Sequence, residues 1–127
     1  MRLVHAGLVS SSEDEADRFF GDVLGFEKTR RSELSAELAG RLFGVDGGCE
    51  IVYYGGGDVE LEVFLTRPPG AAASRIGHLC LEVASRTDLL ARCAEMGVAV
   101  REARKGDSLI VFIEDGDGNL FEIKERR

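Results

Sequence analysis

Along the chain, strand-like runs of hydrophobic residues give way to hydrophobic residues at helical spacing. This order, strand pattern and then helix pattern, occurs twice. In the first half, residues 3–9 (LVHAGLV) are typical of a strand, and in the second half residues 76–83 (IGHLCLEV) are too. After each of these strands the apolar residues recur at helical spacing: Ala16, Phe19, Phe20, Val23 and Leu24 in the first half, and Leu89, Leu90, Cys93 and Met96 in the second. The pattern predicts one strand–helix unit in each half.

The ends of the two helices are also marked in the same way. Ser12 and Ser85 each precede a helical pattern and are followed three positions later by an acidic residue, as in a capping box. Gly25 and Gly97 lie just after the last apolar position, where a C-terminal cap is expected. The two halves therefore resemble copies of one unit.

Each predicted helix is followed by three strand-like segments: FEKTRR, CEIVYYG and VELEVFL in the first half, and VAVREAR, SLIVFIED and LFEIKE in the second. Turn residues at 55–58 and 117–118 separate the last two strands of each half. One segment has no counterpart: residues 32–44 (SELSAELAGRLFG), in which leucines four apart predict an extra helix. We predict an α+β fold of two βαβββ modules in a single domain, 1–127, with module one at 1–66, a linker at 67–74 and module two at 75–127.

Composition and charge exclude several classes of protein. The 127 residues fit one domain, and a net charge of −7 disfavours binding to the nucleic-acid phosphate backbone. No apolar run reaches the ~18 residues that a membrane span needs. The three cysteines are too few and too scattered for a disulfide framework or a CxxC zinc site, so we expect a reduced, cytoplasmic setting.

The alternation of side chains along each strand indicates which residues share a surface. Each strand has one aliphatic face and one mixed face, and the mixed faces carry both histidines of the chain, His5 and His78, together with glutamates such as Glu60, Glu62 and Glu122. If the mixed faces meet in a curved sheet, two imidazoles and at least two carboxylates converge. Neutral imidazole and carboxylate together bind divalent metals and leave coordination positions open.

Three segments, HAGLVSSSEDEADRFFGDVLGF, GHLCLEV and EDGDGNLFEI, resemble the vicinal oxygen chelate superfamily, which includes glyoxalase I, methylmalonyl-CoA epimerase, extradiol dioxygenases and the fosfomycin and bleomycin resistance proteins. The resemblance covers essentially the whole chain apart from the inserted helix. It implies a half-open mixed β-barrel around one divalent ion (Zn, Ni, Co, Mn or Fe). The metal ligands that it implies are His5, Glu62, His78 and Glu122.

Four ligands with glutamate at both carboxylate positions most resemble glyoxalase I, and also methylmalonyl-CoA epimerase. The resemblance implies a metal-dependent lyase or isomerase that transfers a proton α to a carbonyl through a metal-bound enediolate, with Glu62 or Glu122 as the base. The implied substrate is a small 2-oxo compound, a hemithioacetal or an acyl thioester. Val9 stands where glyoxalases usually place a glutathione-binding arginine, which argues against glutathione as the thiol.

Two other functions fit the same family. One is a non-catalytic protein that sequesters a drug or metabolite, and the other is an Fe(II) extradiol-type dioxygenase with His5, His78 and Glu122 as its ligands. The modules pair either within one chain or across two, and we expect a homodimer.

The mixed faces also offer candidates for the lining of a pocket. Phe64 and Cys80 lie on the mixed faces and are candidates for its lining, although for Cys80 we favour a small buried apolar residue. Arg30, Arg31 and Arg67 are interpreted as solvated surface residues.

Overall fold

The computed structural model describes residues 3–44, 46–66 and 78–127. The described residues form two compact units, one up to residue 66 and one from residue 78 onward. The predicted linker, 67–74, and the predicted start of module two, 75–77, lie outside the described residues. Among the helices described, none has the length and hydrophobicity needed to span a bilayer.

The first unit is a four-stranded mixed sheet with two helical regions. Its elements are β1 (Ala6–Ser10), α1 (Glu13–Ala16), which continues into a π-helical segment (Asp17–Val23), β2 (Glu27–Leu34), α2 (Ala36–Phe43), β3 (Cys49–Gly56) and β4 (Val59–Leu65). The strand order is β1-β4-β3-β2, with β1 parallel to β4 and the other pairs antiparallel.

The second unit repeats this topology without the inserted helix. Its elements are β5 (His78–Val83), α3 (Arg86–Met96), β6 (Ala99–Lys105), β7 (Ser108–Glu114) and β8 (Leu120–Glu125). The strand order is β5-β8-β7-β6, again with one parallel pair, β5 with β8. The predicted fold class, two βαβββ modules with an extra helix in the first, is confirmed.

Serine side chains begin all three helices, including the two starts predicted from the sequence. Ser12 Oγ accepts a hydrogen bond from the Glu15 amide at 3.4 Å, and Ser85 Oγ accepts one from the Asp88 amide at 3.2 Å. Ser35 does the same for α2. Each serine satisfies a backbone N–H that has no partner within the helix, so the helix starts are set locally.

Two element boundaries and the type of the first helix differ from the prediction. Residues 3–5, predicted as strand, precede β1, because the pairing of β1 with β4 begins at Ala6. Residues 32–34, predicted as the start of the extra helix, belong to β2, because Leu34 is still paired with Cys49. The first helix widens into a π-helix after Ala16 rather than remaining α-helical. Cross-strand pairing therefore overrode helical spacing at residues 32–34.

The aliphatic faces of both sheets form the cores, as the alternation predicted. In the first unit Phe20 is 1% exposed and its ring lies 5.2 Å from that of Tyr54 on β3. The buried apolar residues described in the second unit are Leu89, Cys93, Val111, Ile113, Phe121 and Ile123. With the aliphatic faces buried against helices, the mixed faces carry the candidate functional residues.

Candidate metal centre

The first unit brings one histidine against one glutamate. His5 lies immediately before β1, and Glu62 is the fourth residue of β4, the neighbouring parallel strand. His5 Nε2 lies 3.3 Å from Glu62 Oε2, with 43% of the histidine side chain and 18% of the glutamate side chain exposed. The two predicted ligands of module one are therefore in contact on one face of the sheet.

The second unit contains the equivalent pair. His78 is the first residue of β5, and its Nε2 lies 3.7 Å from Oε2 of Glu122 on the parallel strand β8. The His78 ring also lies 5.0 Å from the ring of Phe112 in an edge-to-face arrangement. Lys124 Nζ lies 3.8 Å from the other carboxylate oxygen of Glu122. His78 is thus held between a carboxylate and an aromatic ring.

The strand registers show that the two glutamates occupy corresponding places. Glu62 is paired with Gly7 on one side and Tyr53 on the other. Glu122 is paired with Cys80 and Phe112 in the same way. Each glutamate lies between a small residue on the parallel strand and an aromatic residue on the antiparallel strand, as expected for two copies of one module.

Extending each row to the edge strand adds an arginine. Tyr53 is paired with Arg30 on β2, and Phe112 is paired with Arg101 on β6. From one edge of the sheet to the other, the row in the first unit therefore reads Arg, Tyr, Glu, Gly, and the row in the second unit reads Arg, Phe, Glu, Cys. We call these two sets the Glu62 row (Arg30, Tyr53, Glu62, Gly7) and the Glu122 row (Arg101, Phe112, Glu122, Cys80).

The inserted helix α2 packs on the face of the first sheet that carries Glu62. Ala39 of α2 is fully buried in an apolar cluster with Tyr53, which is paired with Glu62. Phe64 lies two residues after Glu62 on the same face, and its ring is 5.6 Å from that of Phe43 at the end of α2. The helix therefore forms one wall beside Glu62, and Phe64, a predicted pocket residue, contacts that wall.

Cys80 is exposed, so the interpretation of a small buried apolar residue is wrong. Cys80 lies two residues after His78 on β5 and is paired with Glu122 on β8. The three side chains therefore share one face of the sheet. Partial burial and the negative charge of Glu122 raise the pKa of its thiol above the usual value. Cys80 therefore lies next to the His78–Glu122 pair, with the pKa of its thiol raised.

Within the ranges that the structure describes, no cluster of three or more His, Cys, Asp or Glu side chains is arranged to hold an ion. Each unit contributes a pair, and the four-ligand set stays a prediction.

Glu60 lines an open cavity of about 910 Å³ near the β3–β4 turn, and among the described lining residues neither His5 nor Glu62 occurs. Val9 is half-buried in β1 and paired with Phe64.

Tyr53 and Phe112 are not among the residues predicted from the sequence, whereas Arg30, predicted as a solvated surface residue, is indeed exposed. All three are defined by their register with the glutamates, which depends on which strands pair. The repeat does contain a signal for them. In each half the strand before the aromatic residue carries an arginine, Arg30 or Arg101, that is paired with that aromatic residue in the antiparallel sheet.

A sequence model of the Glyoxalase/Bleomycin resistance protein/Dioxygenase superfamily matches residues 2–123. The chain belongs to this superfamily. The match extends over both repeats, so it confirms the resemblance found in the sequence. No curated protein matches the chain.

Solved structures of superfamily proteins share the fold at low sequence identity. A glyoxalase family protein from Enterococcus faecalis is 23% identical with a TM-score of 0.70, covering 96% of this chain and 95% of that one. The fosfomycin resistance protein FosX from Listeria monocytogenes is 12% identical with a TM-score of 0.74, covering 100% and 94%. A variant of the Listeria FosX, complexed with Mn(II) and 1S,2S-dihydroxypropylphosphonic acid, is 14% identical with a TM-score of 0.71, covering 97% and 88%.

Proposed function

We propose that this protein is a metal-dependent lyase or epimerase that moves a proton on the carbon next to a carbonyl. His5, Glu62, His78 and Glu122 together hold one divalent ion, which is Zn, Ni, Co, Mn or Fe. The observation that carries the proposal is the His–Glu contact that recurs at corresponding strand positions in both units, at 3.3 Å and 3.7 Å.

The spacing of the donor atoms within each pair is compatible with two ligands of one ion. Ligand bonds of about 2.0–2.2 Å at angles between octahedral and tetrahedral values separate neighbouring N and O donors by roughly 2.9–3.4 Å. The 3.3 Å between His5 Nε2 and Glu62 Oε2 falls in that range, and the 3.7 Å of the second pair is a few tenths of an ångström longer. The donor set of imidazole and carboxylate is also the chemistry that these ions prefer.

The ion, when bound, supplies Lewis-acid stabilisation of negative charge on the substrate oxygens. The protein supplies the proton transfer: Glu62 or Glu122 takes a proton from the carbon α to the carbonyl and returns it to the neighbouring carbon or to the opposite face. About a fifth of each glutamate side chain is exposed, so each carboxylate is shielded yet reachable by a substrate. The substrate class is a small 2-oxo compound, a hemithioacetal or an acyl thioester.

The test is deuterium exchange at the substrate α-carbon, measured with metal-reconstituted protein on a panel of hemithioacetals, 2-oxo acids and acyl-CoA thioesters. Glutamine keeps a possible oxygen ligand and removes the basic carboxylate. We expect Glu62→Gln or Glu122→Gln to lower exchange by about 10²–10⁴-fold with metal content largely kept, because general-base catalysis contributes about that much. Glu60→Gln, two positions from Glu62 on the same strand, is the matched control and should exchange at the wild-type rate.

Exchange at the wild-type rate in both glutamine variants would show that neither carboxylate is the base. Tight binding of a ligand by metal-free protein, with no exchange on any substrate, would favour sequestration. Oxygen consumption by iron-loaded protein would favour the dioxygenase.

We also propose that the two units act as one domain, within a homodimer, in the cytoplasm. The free thiols of Cys49, Cys80 and Cys93 support a reducing compartment.

A further inference from the structure

The arginine of the Glu62 row rests on a fixed aromatic platform. Arg30 Cζ lies 3.7 Å from the centroid of the Tyr53 ring. Tyr53 is only 5% exposed, and its hydroxyl is 2.9 Å from Ser32 Oγ. The ring is held by packing and by this hydrogen bond, and the exposed Arg30 guanidinium lies over it at cation–π distance.

The two rows differ in what their arginines bind. Arg101 of the Glu122 row forms an ion pair with Glu114, which lies two residues after Phe112 on β7. The corresponding position in the first unit, two residues after Tyr53 on β3, is Gly55. Among the residues that the structure describes, Arg30 makes no ion pair. The first unit therefore has the arginine without the carboxylate partner that the second unit provides.

The position of Arg30 relates it to the proposed metal centre. Arg30, Tyr53 and Glu62 are paired in one register across three neighbouring strands. Strands lie about 4.8 Å apart, so the backbone of Arg30 is roughly 10 Å from that of Glu62, on the same face, with the guanidinium over the intervening ring. A substrate held beside Glu62 can reach Arg30 with a second group a few carbons away.

We propose that Arg30 is a specificity-determining residue that binds a second carboxylate of the substrate while the 2-oxo group occupies the proposed metal centre. The inference rests on the proposed function and narrows its substrate class to 2-oxo compounds with a distal anionic group. A planar guanidinium matches a carboxylate with two parallel N–H···O bonds. Among the described residues Arg30 has no carboxylate partner, so its guanidinium is available to the carboxylate of a substrate.

The test compares two ligands of equal chain length, 2-oxoadipate and 2-oxohexanoate, which differ by the distal carboxylate. Their dissociation constants are measured by calorimetry with Mn(II)-loaded and with metal-free protein. We expect the wild type to bind 2-oxoadipate at least ~10-fold more tightly, since a charge-assisted hydrogen bond contributes about that ratio. A net charge of −7 would by itself disfavour the dianion, so the preference has to come from a local site.

Arg30→Met keeps an apolar contact with Tyr53 and removes the charge, and it should abolish the preference. Gly55→Glu places a carboxylate at the position that corresponds to Glu114, and it should abolish the preference for 2-oxoadipate with Arg30 intact. The site can accept a side chain, because a Cβ at Gly55 meets Thr29 Cγ2 at 3.4 Å, an ordinary contact. Arg101→Met, the matched control, should keep the wild-type preference. The proposal is overturned if the wild type shows no preference, if Arg30→Met retains it, or if Arg101→Met removes it equally.

Metal content, measured on the same samples, separates this inference from the proposed function. Wild-type protein that holds none of Zn, Ni, Co, Mn or Fe contradicts the metal centre, whereas the ratio of the two dissociation constants in metal-free protein still reports on Arg30. Mn(II)-loaded protein that binds both ligands equally contradicts the role of Arg30 and leaves the metal centre standing.

Discussion

The imidazole of His78 is held on one side by the carboxylate of Glu122 and on the other by the ring of Phe112. An imidazole that is oriented in this way is prepared to bind a metal, because little freedom remains to be lost. We predict that His78→Ala folds but binds a divalent ion at least ~10-fold less tightly. The measurement is metal content after dialysis against a weak chelator.

Glu60→Gln provides the comparison at the same scale. Glu60 lies on the face of Glu62 but is paired with Gly55 near the end of the strand. We expect this variant to retain the ion. Metal loss in Glu60→Gln together with metal retention in Glu62→Gln would show that Glu60, and not Glu62, is the ligand.

At the scale of secondary-structure elements, the first helical region is attached to β3 by a polar contact as well as by packing. The Tyr54 hydroxyl donates to Asp17 Oδ1 at 2.7 Å, and Lys28 Nζ donates to Oδ2 at 2.9 Å. Burial raises the pKa of Asp17, but the hydrogen bonds from Lys28 and Tyr54 outweigh it, so the pKa lies below the ordinary value. The resulting stabilisation is present above the unfolded-state pKa and is lost as the pH falls through the folded-state pKa.

We therefore predict that Tyr54→Phe lowers the free energy of unfolding by about 1 kcal/mol near pH 7, and by less in acid, where Asp17 takes up a proton. Tyr53→Phe is the matched control, because its hydroxyl contacts the neutral Ser32 and its effect should not change with acid. Urea denaturation at both pH values measures the difference. A Tyr54→Phe effect that is the same in acid would show that the Asp17 contact does not contribute.

The connection from α2 to β3 depends on a glycine. A Cβ at Gly48 would lie 2.3 Å from the carbonyl oxygen of Leu34, which is backbone and has no alternative rotamer. We predict that Gly48→Ala destabilises the fold by roughly 1–3 kcal/mol, as overpacking does. At Gly21, in the π-helical segment, the nearest atom to an added Cβ is 3.9 Å away. Gly21→Ala should be neutral or stabilising in the same thermal unfolding assay, and equal losses in both variants would refute the steric explanation.

For the whole molecule, the proposed centre makes a prediction about stoichiometry. If one ion depends on both His–Glu pairs, His5→Ala and His78→Ala should each bind it at least ~10-fold less tightly. Each variant should therefore show a smaller metal-dependent rise in melting temperature than the wild type at the same metal concentration, since binding to the folded state stabilises it. Elemental analysis should find one ion per complete ligand set in the wild type. Two ions per chain, with each variant losing one, would mean that the pairs bind metal independently.

Much of this architecture follows from local chemistry. The alternation along the strands, the helical spacing of Phe19, Phe20 and Val23, and the serine caps predict the elements, because each depends on residues within one or two turns of one another. The repeat of these signals predicts two βαβββ modules and places one histidine and one glutamate at corresponding positions in each.

The remaining features depend on contacts between residues far apart in the chain. Residues 32–34 extend β2 although their leucine spacing favours a helix, because β3 offers a row of backbone partners. Tyr53 and Arg30 join Glu62 through strand register, and α2 covers the same face through the burial of Ala39. A one-residue slip in register would move every such side chain to the opposite face, so these neighbours are specified by tertiary packing and not by local spacing.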